Sequence, residues 1–444
     1  MGIDEKIKRL LDAYDKNGYI NGSILVASSD RIIVNKGYGF ANWEHKIPNF
    51  SHTKFRIGSL SKAFTSFAIY QLHKNGNLNI NDAIGKYLVN YPNGGEITIY
   101  HCLTNTSGIP NFTADSDFWS SNMRLPLTLA QLIDAFKDKP LHFKPGNEFE
   151  YSNSGYSILT AVIEQVSNMP YAKYLSEYIF NPLGMVNTGC DDGRKVIAEM
   201  ASGYSVWEEV IRAEYSDMSF PLGAYGLYST VEDLFIWDKA LSSFTILDEV
   251  LTKKMFEVNR SNYASGWVIS NKFNKKCSHH YGDISGFCSN FLRFSEEKIT
   301  VIYLSNLSIT PVIKLTEEIS EVMLGGSMFL PASIDAIGVD DSHKKLCIIG
   351  QYQVIDRPTQ TISISQENNS IFLTVSKMYN ALYKYKLIPV KQDLLSITFK
   401  TEFVNEELTI HYSPSNIVEC VQYIDCYGEK HMAHNMKTYE KRRI

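Results

Sequence analysis

Over residues 1–14 charged and apolar positions alternate as in an amphipathic helix. Residues 22–34 then hold two apolar runs separated by Ser28, Ser29, Asp30 and Arg31, which predicts a β-hairpin. From residue 59 to 73 the apolar positions Leu60, Ala63, Phe64, Phe67, Ala68 and Leu72 recur at helical spacing and stop near Asn75 and Gly76. A helix with Ser59 at its start follows from that pattern. Residues 76–250 mix helical segments with loops rich in Gly, Pro, Asn and Ser, and 156–167 is the clearest helix among them. Short β-prone runs come next at 267–269, 279–287, 290–294 and 300–304, before the helical spacing returns over 315–324. This order predicts an α/β (α+β) domain whose sheet draws strands from both ends of the segment.

Beyond Gly325 the pattern changes. Residues 347–425 hold many short runs rich in Ile, Val, Tyr, Phe and Thr with polar turns between them, which predicts an all-β domain. Residues 331–342 make the best linker, so the expected division is 1–330, linker 331–342 and 343–444, with 437–443 as a basic, solvated tail.

A chain of 444 residues exceeds what one hydrophobic core usually serves, in keeping with two domains. Apolar residues at 44% and charged residues at 20% supply a core and argue against general disorder. The formal charge of -5, with no block of either sign, disfavours nucleic-acid or anionic-membrane partners. Seven scattered cysteines without a C-x-x-C pair read as free buried thiols of a reducing compartment. The first helix lacks the uninterrupted apolar run of a secretory signal, and no stretch approaches the roughly 18 apolar residues that span a membrane. A cytoplasmic protein without a membrane span is the expectation. No feature specifies an oligomeric state.

Three short motifs carry candidate chemistry. Ser59 and Lys62 form an S-x-x-K pair at a helix start, where i and i+3 share a face and the amine can reach the hydroxyl. A serine needs a base to become a nucleophile, and a lysine serves only if its pKa falls from about 10.4 towards neutrality. Tyr151 and Asn153 form a Y-x-N group ahead of the next clear helix: the phenol can relay a proton, and the amide can orient the lysine and bind a substrate carbonyl. His280 and Gly282 form an H-x-G group on a β-prone run, where a glycine on an edge strand would let a substrate backbone approach and the next N–H face an acyl oxygen. Taken singly, each has an ordinary reading as a helix cap, a turn or surface decoration. Cys277, His279 and His280 do not make a recognisable metal set, so no metal is expected.

Together, in this order, the motifs resemble the serine β-lactamase and penicillin-binding-protein superfamily, with sets S-x-x-K, Y-x-N and K-T-G or H-x-G. The variant here is similar to the class C β-lactamase-related branch, which includes DD-peptidases, D-aminopeptidases and esterases. The resemblance extends to Leu103-Thr104-Asn105-Thr106-Ser107-Gly108-Ile109-Pro110, to the segment 143–156, to Pro182-Leu183-Gly184-Met185 and to Gly226-Leu227-Tyr228-Ser229-Thr230, and covers roughly residues 8–325. It implies an antiparallel sheet flanked by helices with a large helical region, and a lipocalin-like barrel at the C-terminal end. It further implies Ser59 as nucleophile, Lys62 and Tyr151 as the proton-transfer pair, and Asn153, His280 and Gly282 as substrate contacts. The backbone N–H groups of Ser59 and Asp283 would form the oxyanion hole, with no cofactor.

The implied activity is hydrolysis of peptide, amide or ester bonds in a small-molecule or peptide substrate, through an acyl-enzyme on Ser59. The same intermediate leaves open an acyltransferase or a slow covalent penicillin sensor. One departure bears on substrate. Tyr281 stands where the family has the Thr of K-T-G, and an unperturbed histidine at 280 is only partly protonated at pH 7. Both changes weaken the expected hold on a β-lactam carboxylate.

Overall fold

The computed structural model describes residues 1–338, 348–377 and 380–436. By compactness the chain forms two units that are not consecutive in sequence. One consists of Gly22–Gly203 and Glu214–Asn306, and the other of Met1–Asn21, Tyr204–Ala213 and Leu307–Ile444.

The first unit is built on an antiparallel sheet of six strands: β1 (Gly22–Ser28), β2 (Arg31–Tyr38), β3 (Val268–Lys272), β4 (Lys275–Ile284), β5 (Phe287–Phe294) and β6 (Ile299–Ser305). Their order is β3-β4-β5-β6-β1-β2, so β6 joins the two ends of the segment through pairs such as Leu25 with Ile302. The central strands β5 and β6 are buried along their whole length, whereas β2 at the edge is buried only at Tyr38. Helix α1 (Ser61–Lys74) is buried from Ser61 to Leu72, and helix α2 (Asn153–Ser167) packs against it. Helix α3 (Val231–Ser243) lies on β1 and β6, with Trp237 wedged against Phe64 and Phe67 of α1.

In the second unit eight antiparallel strands, from Gly350–Val354 to Lys430–Asn435, each pair with the next. The last returns to the first through Tyr352 opposite Asn435, closing a barrel. Its inward positions, among them Tyr352, Ile362, Leu373, Tyr385, Phe399, Ile410 and Val421, are buried in the alternation of a small filled barrel. The same unit contains the helices Ile3–Lys16 and Val312–Met323, joined by a hydrogen bond of 2.6 Å from the Tyr14 hydroxyl to Glu318.

It also contains the hairpin 204–212, and here the grouping differs from the expected division at 331–342. Strand Leu382–Asp393 is longer than its neighbour Ser396–Thr401, which pairs with it only from Leu387 onward. The free edge this leaves is covered by the hairpin, through Trp207 opposite Lys384 and an ion pair of 2.6 Å between Lys384 and Glu208. Residues 339–342 of the expected linker, the expected barrel start at 343, Cys347 and the tail 437–443 lie outside the described residues. Of the described free cysteines, Cys102, Cys277 and Cys288 are buried, but Cys190, Cys420 and Cys426 are only half-buried. Among the described residues no helix is long and apolar enough to cross a membrane.

Candidate active site

Ser59 lies two residues before the helix rather than at its start, in a 3-10 turn (Gly58–Leu60) that leads into α1 at Ser61. The turn is tied down by the Ser61 hydroxyl, which donates to the Gly58 carbonyl (2.7 Å) and accepts from the Leu227 N–H (3.1 Å). Gly58 has φ +52, and a Cβ there would lie 2.5 Å from the Asp283 nitrogen, so position 58 requires glycine twice over. The i, i+3 spacing then brings Lys62 Nζ to 3.0 Å from Ser59 Oγ.

Lys62 is fully buried and finds two further acceptors, Asn153 Oδ1 at 2.6 Å and the Ala224 carbonyl at 2.7 Å. Burial holds its ammonium well below the usual lysine range, and the Asp283 carboxylate pulls it part of the way back. Lys62 Nζ thus sits among three oxygens, Ser59 Oγ, Asn153 Oδ1 and the Ala224 carbonyl, with no carboxylate in direct contact.

The Y-x-N group does not merely precede the second helix. Asn153 is the first residue of α2, and Ser152 is its N-cap, accepting from the Gly155 N–H. Segment 105–111 cradles this start: Asn105 Oδ1 accepts from the Ser152 N–H (3.1 Å), and Ser152 Oγ donates to the Ile109 carbonyl (3.0 Å). Tyr151 is thereby aimed across the site, and its hydroxyl donates to Ser59 Oγ at 2.7 Å. Asn153 presents its carbonyl oxygen to Lys62 and one N–H to Thr113 Oγ1 (2.8 Å), while its backbone N–H donates to Asn111 Oδ1 (3.0 Å).

On β4, His280 is enclosed by the protein. The ring is 4% exposed and both nitrogens are engaged inside the protein. Nδ1 lies 2.6 Å from the Tyr281 carbonyl and must carry the proton, which leaves Nε2 to accept from the Tyr263 hydroxyl at 3.2 Å. Burial, with a contribution from the Lys62 charge, drives the imidazole down to about 3. A neutral ring at pH 7 replaces the partly protonated one expected from the sequence.

Gly282 is crowded by the protein itself: a Cβ there would sit 2.1 Å from the Ile57 carbonyl oxygen and 2.9 Å from the Ser59 nitrogen. Glycines 58 and 282 thus face each other's strands and bring the backbones of Ser59 and Asp283 together. The Asp283 carboxyl is pushed up to about 6 by burial, opposed by Lys62 and by a hydrogen bond with Tyr281.

Several groups escaped the sequence reading. The Ala224 carbonyl reaches Lys62 because Gly223 packs directly on α1 and α2, where a Cβ would meet Thr65 Oγ1 of α1 at 2.7 Å and Thr160 Oγ1 of α2 at 2.4 Å. The nearby Gly226-Leu227-Tyr228 segment was the only sequence signal for it. Tyr263, Asn111 and Thr113 belong to no motif and arrive through the fold alone. Among the described residues one trio could hold a cation, Asp425, Glu429 and His431 in the barrel, where Arg357 already pairs with Asp425 and Glu429.

A serine hydroxyl between a buried lysine and a tyrosine, in a turn leading into a helix beside the end of an antiparallel strand, is the site architecture of serine hydrolases of the β-lactamase and DD-peptidase type. The chain belongs to the beta-lactamase family, whose profile matches residues 3–321. It is 33% identical over 334 residues to Protein flp of Staphylococcus aureus, an alignment covering 71% of this chain and 66% of that protein, just under two thirds of the relative's length. The octameric penicillin-binding protein homologue from Pyrococcus abyssi has the same fold across 98% of this chain and 100% of its own, with TM-score 0.65 and 23% identity. The D-amino acid amidase of Ochrobactrum anthropi SV3 matches 73% of this chain and 99% of its own, with TM-score 0.63 and 21% identity.

Proposed function

We propose that the protein hydrolyses amide, peptide or ester bonds through an acyl-enzyme on Ser59. The observation that carries this reading is the position of Ser59 Oγ between Lys62 Nζ (3.0 Å) and the Tyr151 hydroxyl (2.7 Å). Neutral Lys62 takes the Ser59 proton as Oγ attacks the substrate carbonyl, and the oxyanion that forms is met by the N–H groups of Ser59 and Asp283. Tyr151 gives its proton to the departing nitrogen or oxygen, and Lys62 returns one to Tyr151. Water then releases the acyl group by the same steps in reverse. Tyr263 and His280 act as positioning residues, holding the aromatic wall beside Tyr151, whose ring lies 6.1 and 6.2 Å from theirs. Amidases and penicillin-binding proteins among the similar structures support amides and peptides as well as esters.

The test is a panel of chromogenic esters, D- and L-aminoacyl anilides and a cephalosporin, run on wild type and Ser59→Ala. Many product molecules per enzyme, abolished by Ser59→Ala, is the expected result. Turnover that survives Ser59→Ala, or a single equivalent of product from every substrate, would overturn the reading.

A further inference from the structure

Side chains on a strand alternate between its faces, and β4 follows the rule: 280, 282 and 284 are buried while 279, 281 and 283 are half-buried. Strand β3 pairs with β4 only as far as His279, so residues 280–284 form an open edge on that side. Asp283 stands on this edge beside the nucleophile. Its backbone nitrogen lies 2.5 Å from the position of a Cβ on Gly58, immediately before Ser59. Tyr281, on the same face two residues away, hydrogen-bonds the Asp283 carboxylate, which lies near enough to Lys62 to raise that amine's pKa against the effect of burial. The chain carries an acidic side chain on the residue whose N–H the mechanism proposed above aims at the acyl oxygen.

We infer that Asp283 sets the charge class of the substrate, favouring compounds with an ammonium beside the scissile bond over those with a carboxylate there. The inference rests on the Ser59 hydrolase reading above. Two unit charges about 6 Å apart, at an effective dielectric constant of about 20 to 40, change affinity roughly tenfold to a hundredfold, with the sign set by the charges. A carboxylate on the substrate is repelled by that factor and an ammonium attracted by it. At pH 8 Asp283 is ionised, since its carboxyl titrates at about 6.

A trio of thioesters isolates the charge: acetylthiocholine with a permanent cation, its neutral 3,3-dimethylbutyl isostere, and S-acetyl-3-mercaptopropionate with a carboxylate. At pH 8, kcat/KM is measured for each by thiol release with wild type, Asp283→Asn and Asp283→Ser, two variants so that one poor folder does not decide the matter. In wild type the cation is expected to exceed the anion at least a hundredfold, and in both variants that ratio is expected to fall at least tenfold. A ratio that stays within threefold of wild type in a folded variant would overturn the role of Asp283 while leaving the hydrolase intact. No Ser59-dependent turnover of these three or of the ester and anilide panel would instead overturn the hydrolase reading, and this inference with it.

Discussion

Replacing Gly282 with alanine adds one methyl group at the point where the strand end meets the nucleophile turn. The new Cβ would lie 2.1 Å from the Ile57 carbonyl oxygen, 2.7 Å from Ser289 Oγ and 2.9 Å from the Ser59 nitrogen. Restoring an ordinary contact of about 3.2 Å requires about 1 Å of separation, since carbon and oxygen do not interpenetrate. Ile57 cannot yield easily: its N–H donates to the Leu227 carbonyl and its own carbonyl accepts from Ser289 Oγ. The open end of β4 has fewer restraints and moves instead, carrying the Asp283 N–H away from Ser59. A 1 Å misplacement near the chemistry costs about 10²-fold, and loss of one oxyanion donor about 10² to 10³. Overpacking of this kind costs about 1–3 kcal/mol of stability. The expected result for Gly282→Ala is therefore a folded protein whose kcat/KM for an activated ester falls by about 10² to 10³. Denaturant unfolding and ester kinetics measure the two effects separately, with Gly95→Ala, where a Cβ meets nothing within 4 Å, as the control. Activity within threefold of wild type would show that the Asp283 N–H is not an oxyanion donor.

Tyr151→Phe removes one hydroxyl without changing shape and should lower kcat/KM by about 10² to 10⁴ at unchanged stability; a loss under tenfold would make Lys62 sufficient alone. A fluorophosphonate should label Ser59, mapped by peptide mass spectrometry, and an adduct on Ser61 or Ser107 with Ser59 unmodified would refute the assignment. The pH dependence follows from Lys62, whose folded-state pKa lies well below its ordinary value. Its neutral form accepts the Ser59 proton, so activity is present above that folded pKa and is lost as pH falls through it. Asp283, titrating at about 6, also faces Lys62, so the limb should be measured in Asp283→Asn as well. A limb that vanishes there belongs to Asp283 and not to the lysine.

The elements with strong periodicity were legible in the chain. The hairpin at 22–34, the helix after Ser59, the four later strands and the β-rich C-terminal region all follow from apolar spacing, because burial of one face leaves a periodic mark. Helix starts were harder. The start of α2 was expected near Tyr156 but falls at Asn153, because Ser152 caps it using Asn105 and Ile109, some forty residues away. The hairpin 204–212 left no such trace, since what it covers is the edge of a strand that begins at Leu382.

The sequence by itself determined which atoms could react: Ser59 with Lys62 three residues on, and the Y-x-N and H-x-G groups, whose spacing is local. The tertiary structure decided what state those atoms are in. A lysine at i+3 is an ordinary solvated cation unless α2 and the Gly223–Ala224 segment close over it, and only then does burial weaken its hold on the proton. His280 has the composition of a cation, but enclosure by Tyr263 and the Tyr281 carbonyl makes it a neutral, fixed ring. Gly282 is likewise open in the sequence and crowded in the fold. Charge state and clearance depend on which surfaces meet across long separations in the chain, and no local pattern carries that information.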